Sequence, residues 1–215
     1  MHLIVIAKAP IPGRVKTRLC PPCSHEDAAS IAEASLADTL EAVRDVVGAR
    51  PVIALDGPPG EWLPPGIRVI PQRGRGLGAR IAAAFDDVGG PSLLIGMDTP
   101  HVEVSHLAGA CARLAESGDD AVLGPALDGG WWALGLRQPD ARVFDGVPMS
   151  SDRTLHAQRA RLRARGMRVA DLRPMRDVDT PADALTVAAS VPGSRFALAV
   201  AASPIATGST VGAIA

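Results

Sequence analysis

The feature that most constrains the fold is a regular alternation of short apolar runs with longer segments of helical periodicity. Strand patterns occupy residues 2–7, 52–55, 67–70, 93–95, 121–123 and 167–172, and a further apolar segment occupies 131–136. Helix patterns occupy residues 28–47, 78–88, 104–115, 154–165 and 181–189. Apolar runs that end in turn formers are typical of buried strands, and their alternation with helices favours a parallel sheet. The sequence therefore predicts an α/β fold with a mostly parallel central sheet flanked by helices.

Length and charge exclude several classes of protein. A chain of 215 residues suits one domain with a substantial core. The formal net charge of −1 argues against a general nucleic-acid or membrane-surface binder. The sequence has no apolar run long enough to span a membrane and no leader pattern at its start, so we expect a cytoplasmic protein. Its three cysteines make no disulfide framework, and Cys20-Pro-Pro-Cys23 is predicted to be structural.

The composition changes near residue 190. Residues 191–215 are rich in Ala, Ser, Gly, Thr and Pro and carry little charge. We therefore predict a domain at residues 1–190 and a low-complexity C-terminal tail at 191–215. The tail is either mobile or an extra apolar segment that packs on the domain.

A carboxylate follows the strand pattern at residues 93–95, in the sequence Gly96-Met-Asp98-Thr-Pro100. Ligands of open α/β sheets bind in the crevice at the carboxyl ends of the strands, where Asp98 would lie. A hard divalent cation and a phosphate could meet Asp98 there. The alternative is that Asp98 only caps the helix that follows Pro100.

The loop after the first strand concentrates positive charge in a chain that is otherwise balanced. It contains Lys8, Gly13, Arg14, Lys16 and Arg18, and its two lysines are the only ones in the sequence. Glycine lets backbone N–H groups approach a ligand, and the cations suit a di- or triphosphate. The loop matches neither the ATPase phosphate loop nor the dinucleotide fingerprint. It is therefore predicted to bind phosphate by another arrangement, the alternative being a solvated basic loop.

A second concentration of distinctive residues is Asp128-Gly129-Gly130-Trp131, followed by Trp132. The glycines permit close approach of a ligand, and tryptophan packs well against a sugar or base ring. The alternative is a tight Asp-Gly hairpin turn with core tryptophans.

A third candidate is Asp179, which with Thr180 precedes a helix that begins with proline. The simplest interpretation is a helix N-cap. If Asp179 lies beside Asp98, however, the two carboxylates could hold one Mg²⁺ or Mn²⁺ between them and a phosphate.

Four motifs occur in order along the chain: Lys8-Ala-Pro-x-Pro-Gly-x-Val-Lys-Thr-Arg-Leu19, Gly96-x-Asp-x-Pro100, Gly124-Pro-x-x-Asp-Gly-Gly-Trp131 and Asp177-Val-Asp-Thr-Pro181. Together they resemble the bacterial DUF2064 family of glycosyltransferase-A-like proteins, a branch of the nucleotide-diphospho-sugar transferase superfamily. The resemblance spans roughly residues 2–190. It implies a Rossmann-like GT-A fold that binds a nucleotide at the first loop.

The resemblance also implies roles for individual residues. Lys16 and Arg18 would contact phosphates, and Asp98 would be the metal aspartate of the superfamily. Asp179 matches an aspartate that completes metal binding in related cytidylyltransferases, and Gln72 lies where the family often reads the base. The implied cofactor is Mg²⁺ or Mn²⁺, and the implied partners are a nucleotide or nucleotide sugar and a small-molecule acceptor.

Two departures from the family pattern bear on substrate recognition. Asp98-Thr-Pro100 carries one carboxylate where many glycosyltransferases have Asp-x-Asp. Trp131 stands where the family usually has tyrosine after Asp-Gly-Gly, which removes a hydroxyl donor.

The expected protein is a transferase, and a metal-dependent glycosyltransferase that uses a nucleoside-diphosphate sugar is our first expectation. Asp98 and Lys16 would stabilise the leaving diphosphate. Asp128, with Gly129, Gly130 and Trp131, would bind the sugar or acceptor, and Asp128 is also a candidate general base. An Asp128 that only forms a turn would have no such role. The alternatives are a guanylyl- or cytidylyltransferase-like enzyme acting on a phosphorylated small molecule, and a non-catalytic nucleotide-binding protein.

Overall fold

The first strand, β1 (His2–Lys8), lies inside a mixed sheet and pairs in parallel with a strand on each side. The structure is a computed structural model, and it describes residues 1–116 and 118–208. Within those residues the sheet has seven strands in the order β3-β2-β1-β4-β6-β5-β7. The other strands are β2 (Arg50–Asp56), β3 (Arg68–Pro71), β4 (Ser92–Gly96), β5 (Ala121–Pro125), β6 (Trp131–Leu136) and β7 (Val169–Asp171).

Helices connect the strands and cover both faces of the sheet. They are α1 (His25–Arg44), α2 (Leu77–Val88), α3 (Val104–Glu116), α4 (Thr154–Ala164), α5 (Pro181–Ser190), α6 (Arg195–Ala201) and α7 (Pro204–Gly208). Short 3₁₀ helices lie at Thr17–Leu19 and Ala141–Phe144. The predicted α/β fold with a mostly parallel sheet is confirmed. No helix in the described part of the chain is long and apolar enough to cross a membrane.

The helix boundaries follow local capping chemistry. At the start of α1, Ser24 accepts a hydrogen bond from the backbone N–H of Asp27, and the Asp27 carboxylate accepts one from the backbone of Ser24. This reciprocal pair is a capping box. The helix ends at Arg44 rather than at residue 47, and Val47 is 99% exposed, so the apolar pattern overestimates its length.

The core forms two layers because β1 buries alternate residues on opposite faces. Leu3 and Val5 pack with residues of α1 and α3 in one apolar cluster. Ile4 packs with residues of α2 and α4 in the other cluster, which includes Phe85 and Leu162. The sheet is therefore buried on both sides, and its strand ends are the surfaces left for a site.

The order of the strands creates a switch point beside β1. The chain runs from β1 outward to β2 and β3, then returns to place β4 on the other side of β1. Both β2 and β4 run parallel to β1, so their carboxyl ends meet at one edge of the sheet. A crevice opens at such a reversal, and ligands of open α/β sheets bind there.

The strand β6 runs antiparallel to both of its neighbours, β4 and β5. It follows β5 through a tight loop at residues 126–130, which brings the Asp-Gly-Gly sequence to the same edge as the switch point. The sequence identifies residues 131–136 as apolar but leaves their direction open.

The C-terminal helices extend the domain. Phe196 and Val200 of α6, together with Ile205 of α7, are buried in an apolar cluster with Leu19 and residues of α1 and α5. The sequence allows either a mobile tail or an apolar segment that packs on the domain. The helices at residues 195–208 pack on the domain. Residues 209–215 of the predicted tail lie outside the described residues. The boundary predicted at residue 190 stays a prediction, since helices on both sides of it share this cluster.

Candidate functional site

A cavity of about 1010 Å³ opens at the switch point. The carboxyl ends of β1, β2 and β4 form its floor, and three loops form its walls: residues 14–18, 128–132 and 149–154. The segment at residues 177–183 closes one end. Ligand pockets of proteins commonly measure roughly 300–1,000 Å³, so this one has room for a nucleotide and part of a second molecule.

The basic loop after β1 lines this cavity, as the strand order requires. Lys8, Arg14, Lys16 and Arg18 are all lining residues. Gly13 is not among them; its φ of +75° shapes the turn, and a Cβ there would lie 3.5 Å from the His25 ring. The loop therefore brings four cations to the cavity, while the predicted contact between Gly13 and a nucleotide stays a prediction.

Lys16 connects three separate segments. Its ammonium contacts the Asp98 carboxylate and donates a hydrogen bond to the carbonyl oxygen of Val178. The Lys16 side chain is only 5% exposed, whereas that of Asp98 is 40% exposed. The backbone N–H of Val178 in turn donates to the carbonyl oxygen of Asp98 at 2.9 Å. An ammonium has three donors, so Lys16 keeps one for a ligand.

Asp98 does not cap the following helix. The helix α3 begins at Val104, six residues beyond Asp98. Because its partner is Lys16 and its carboxylate lines the cavity, the capping alternative for Asp98 is wrong.

Asp179 likewise is not the cap of α5. Thr180 takes that position: its hydroxyl accepts from the backbone N–H of Asp183 at 3.3 Å. The Asp179 carboxylate instead pairs with Arg18 at 3.0 Å and lines the cavity.

Asp177, like Arg80 and Asp152, lines the cavity but was not predicted as a site residue. Val178 is fully buried, so its neighbours Asp177 and Asp179 lie on the opposite side of this extended segment and both line the cavity. The signal that could have found Asp177 is this spacing of two carboxylates around one buried apolar residue.

The carboxylates of this region perturb one another. The pKa of Asp177 is raised to about 7. Burial is the largest cause, and the nearby carboxylates of Asp98 and Asp128 raise it further. Burial also raises the pKa of Asp179, against the opposing effect of Lys16. Such shifts are typical of functional sites, since carboxylates are crowded there without enough cations to balance them.

The donor set fits a divalent cation that a substrate helps to bind. Among the described residues no group of three or more His, Cys, Asp or Glu side chains is arranged to hold a metal. Mg²⁺, however, usually takes one or two carboxylates, with phosphate oxygens and water completing its shell. Asp98 and Asp179 supply hard oxygen donors, and each already attracts a cationic side chain. The residues therefore suit a metal that arrives with a phosphate.

The loop between β5 and β6 combines a turn with a cavity wall. Asp128 accepts a hydrogen bond from the backbone N–H of Gly130 at 2.8 Å through one carboxylate oxygen, so the turn interpretation holds for that oxygen. Asp128, Gly130 and Trp131 line the cavity. Gly129 does not: it packs against the backbone of Asp152, where a Cβ would lie 2.3 Å from the carbonyl oxygen.

The two tryptophans have different environments. Trp132 is 1% exposed, and its indole N–H donates to the carbonyl oxygen of Arg173 at 3.0 Å. Trp131 is partly exposed, and its indole nitrogen is buried with no partner among the described residues. Both tryptophans line the cavity and Trp131 packs in part against the second core cluster, so the core interpretation describes Trp132 more fully than Trp131.

Gln72 lies at the opposite end of the cavity. Its side-chain amide donates to the carbonyl oxygens of Ala7 at 2.8 Å and Ala54 at 3.0 Å, and its oxygen accepts from Arg80 at 3.3 Å. Arg80 also pairs with Asp56 at 2.8 Å. These contacts fix the Gln72 amide, and a ligand there would meet its oxygen rather than its N–H groups.

Solved structures share this fold. A candidate nucleotide-diphospho-sugar transferase from Desulfovibrio desulfuricans G20 superposes with a TM-score of 0.82 at 26% identity, covering 98% of this chain and 95% of that one. A CMP:2-keto-3-deoxy-manno-octonic acid synthetase complexed with CTP gives a TM-score of 0.56 at 12% identity, over 86% of this chain and 95% of that one. A cytidylyltransferase from Leptospira borgpetersenii gives 0.53 at 12% identity, over 98% and 95%.

Fold and site together define a transferase built on the nucleotide-diphospho-sugar transferase fold. A search of curated proteins finds no match. The profile of the family described as "Uncharacterized protein conserved in bacteria (DUF2064)" matches residues 34–151, more than half of the chain. The chain belongs to the DUF2064 family, as its four motifs indicate.

Proposed function

We propose that this protein is a metal-dependent glycosyltransferase that uses a nucleoside-diphosphate sugar. The observation that carries the proposal is the position of Lys16, whose buried ammonium lies against Asp98 at the switch point. A cation held on one side by a carboxylate and on the other by a backbone carbonyl has a fixed position, with one donor left for a phosphate oxygen.

The rest of the cavity supplies the other requirements of the reaction. Arg18 adds a second cation beside Asp179, and the pair is open enough to rearrange around a diphosphate. Asp98 and Asp179 would hold Mg²⁺ or Mn²⁺, which when bound neutralises charge on the diphosphate. Gln72 and Arg80 would contact the base at the far end.

In the proposed reaction, the oxygen of an acceptor hydroxyl bonds to the anomeric carbon of the donor sugar. The bond from that carbon to the diphosphate oxygen breaks, and its electron pair leaves with the nucleoside diphosphate. The hydroxyl proton passes to Asp128, whose second carboxylate oxygen is not used by the turn. Lys16 and Arg18 stabilise the charge that develops on the leaving group.

A thermal-shift panel of nucleotide sugars and nucleoside triphosphates, with and without Mn²⁺, tests the proposal. A ligand present at about 100 times its Kd should stabilise the protein by roughly 2.7 kcal/mol. We expect metal-dependent stabilisation by a nucleotide sugar, lost in Asp98→Asn. The matched control is Asp86→Asn, because Asp86 is an exposed aspartate of α2 outside the cavity.

The products separate the alternatives. Release of a nucleoside diphosphate from the stabilising sugar nucleotide supports glycosyl transfer. Pyrophosphate from a triphosphate would instead assign nucleotidyl transfer, in which the same cations act at the α-phosphate. Stabilisation without any product across a broad acceptor panel would indicate a non-catalytic nucleotide-binding protein.

A further inference from the structure

The cavity has two halves of opposite charge. The half formed by the first loop and α2 carries the cations, and the half formed by the loops at 128–132, 149–154 and 177–183 carries the anions. The cationic half contains Lys8, Arg14, Arg18 and Arg80 with one carboxylate, Asp56, and the anionic half contains Asp128, Asp152, Asp177, Asp179 and Asp183. The ion pairs Lys16–Asp98 and Arg18–Asp179 join the two halves. A diphosphate belongs in the first half, so the second is left for the other substrate.

Trp131 provides an independent sign of a ligand in the anionic half. Its indole nitrogen is buried and has no hydrogen-bond partner among the described residues, although Trp131 lines the cavity. A buried donor without an acceptor is rare in native structures, and each case needs an explanation. The adjacent Trp132, by contrast, satisfies its indole N–H on the Arg173 carbonyl. A ligand oxygen would satisfy this N–H once the indole turns its nitrogen toward the cavity.

The walls of this half are held in place before a substrate binds. The backbone N–H of Leu155 donates to the Gly129 carbonyl oxygen at 2.9 Å, which joins the loop at 126–130 to the start of α4. The hydroxyl of Thr154 donates to the Pro148 carbonyl oxygen at 2.6 Å and accepts from the backbone N–H of Ser151 at 3.1 Å. A site with fixed walls loses less conformational entropy on binding, and it discriminates better between ligands.

We propose that the anionic half is the acceptor subsite and that it selects an uncharged polyhydroxylated molecule, with the Trp131 indole donating to one of its oxygens. This inference rests on the proposed function and names the class of its second substrate. Asp128 and Asp152 accept hydrogen bonds from hydroxyl groups, and the Trp131 ring packs on the face of a sugar. A phosphate or carboxylate on the acceptor meets like charge here and is rejected.

The distribution of charge supports the same selection. Asp128, Asp152 and Asp177 all line this end of the cavity, so an added negative charge there meets like charge. A divalent cation held by Asp98 and Asp179 leaves Asp128 and Asp152 uncompensated at the acceptor end.

The experiment uses matched acceptor pairs with the donor that the thermal-shift panel identifies. Glucose, myo-inositol and glycerol are compared with their monophosphates, and the rate of nucleoside-diphosphate release is measured. We expect at least one uncharged member to accelerate release about tenfold over hydrolysis, with no acceleration by its phosphate. A preference for the phosphorylated member overturns the proposal. No acceleration by any uncharged member also overturns it, and donor stabilisation would still support the proposed function.

Two variants test the residues. Trp131→Phe keeps the ring but removes the N–H, and we expect it to raise the acceptor KM about tenfold with the donor Kd unchanged. Trp62→Phe is its control, because Trp62 packs against the core outside the cavity. Asp152→Asn should reduce discrimination against the phosphorylated acceptor, whereas Asp171→Asn, outside the cavity, should not. An unchanged acceptor KM in Trp131→Phe overturns the role of the indole.

Discussion

The ammonium of Lys16 lies against the carboxylate of Asp98, although the two residues are 82 positions apart and follow different strands. The contact joins the loop after β1 to the end of β4, and the Val178 carbonyl brings the C-terminal segment to the same ammonium. Both charges therefore occupy fixed positions at the switch point. This arrangement makes Lys16 the most informative residue to change.

Lys16→Met should weaken nucleotide binding and destabilise the fold. Removing the ammonium leaves Asp98 beside Asp177 and Asp179 without its cation. Breaking a fully buried pair costs about 3–5 kcal/mol, and the partial exposure of Asp98 reduces our expectation to about 1–2 kcal/mol. Urea unfolding measures the loss of stability, and calorimetry measures a loss in nucleotide affinity of about 100-fold.

Lys8→Met is the control for stability alone, because Lys8 is an exposed lysine at the end of β1 that also lines the cavity. We expect it to leave stability within about 0.5 kcal/mol of the parent protein. Equal nucleotide affinity in Lys16→Met and the parent protein would contradict the phosphate role of Lys16.

Gly129→Ala should disturb the wall of the cavity through a steric clash. Gly129 has a φ of +90°, and an added Cβ would lie 2.3 Å from the carbonyl oxygen of Asp152. Backbone strain at positive φ costs about 1–2 kcal/mol for a residue with a side chain, and displacement of the loop adds to it. We expect a total loss above about 2 kcal/mol in urea unfolding, together with a raised acceptor KM.

Gly66→Ala separates strain from the clash. Gly66 has a similar φ of +86°, but a Cβ there would meet nothing within 4 Å. The loss of stability in Gly66→Ala should therefore come from the backbone conformation alone, and the acceptor KM should not change. If the two alanine variants lose the same stability, the close packing of Gly129 on Asp152 does not contribute to the stability of the fold.

Sequence reasoning located most of this site because two simple rules apply to it. Apolar runs that end in turn formers identified the strands, and the crevice rule then placed Asp98 and the basic loop together. The same reasoning did not single out Asp177, because the burial of Val178, which gives the spacing of Asp177 and Asp179 its meaning, is known only from the fold. The fold also brings Asp177 to Asp98 and Asp128, where burial first and then their charges raise its pKa.

The direction of β6 and the different roles of the two tryptophans were also beyond sequence reasoning. An apolar run such as residues 131–136 has the same pattern whether it pairs in parallel or antiparallel. Both tryptophans line the cavity, but which of them is fully buried depends on strand register, and a shift of one residue would exchange them. The loop that fixes this register depends on the packing of Gly129 against Asp152, which is a tertiary contact.

Phe196→Ala should show that the C-terminal helices stabilise the whole domain. Phe196 is fully buried between α6 and α1, in a cluster that includes Leu19 of the first loop's 3₁₀ helix. Truncating a buried phenylalanine costs about 3–5 kcal/mol. Leu198→Ala is the control on the same helix, since Leu198 is 62% exposed and should cost less than about 0.5 kcal/mol. Similar unfolding midpoints for the two variants would mean that α6 is not part of the cooperative unit.

Acid should weaken the fold partly through Asp140. The Arg142 side chain donates a hydrogen bond to Asp140, which is the largest cause that lowers the pKa of this carboxyl to about 2, and Arg165 adds to it. Because the pKa in the folded state lies below its ordinary value of 3.8, the ion pair stabilises the protein above about pH 4. That contribution is lost as the pH falls toward 2, where the folded state also becomes protonated.

Urea unfolding of the parent protein and of Asp140→Asn at pH 6 and pH 3 measures this contribution. After allowance for solvent screening, we expect the free energy of unfolding of the parent protein to exceed that of Asp140→Asn by about 1 kcal/mol at pH 6. This difference should be smaller at pH 3. Asp171→Asn is the matched control, because Asp171 pairs with Arg159 at 2.8 Å but is 56% exposed. Its difference from the parent protein should be near zero at both pH values. A difference for Asp140→Asn that stays constant between pH 6 and pH 3 would show that hydrogen bonding to the neutral side chain, rather than its charge, stabilises this turn.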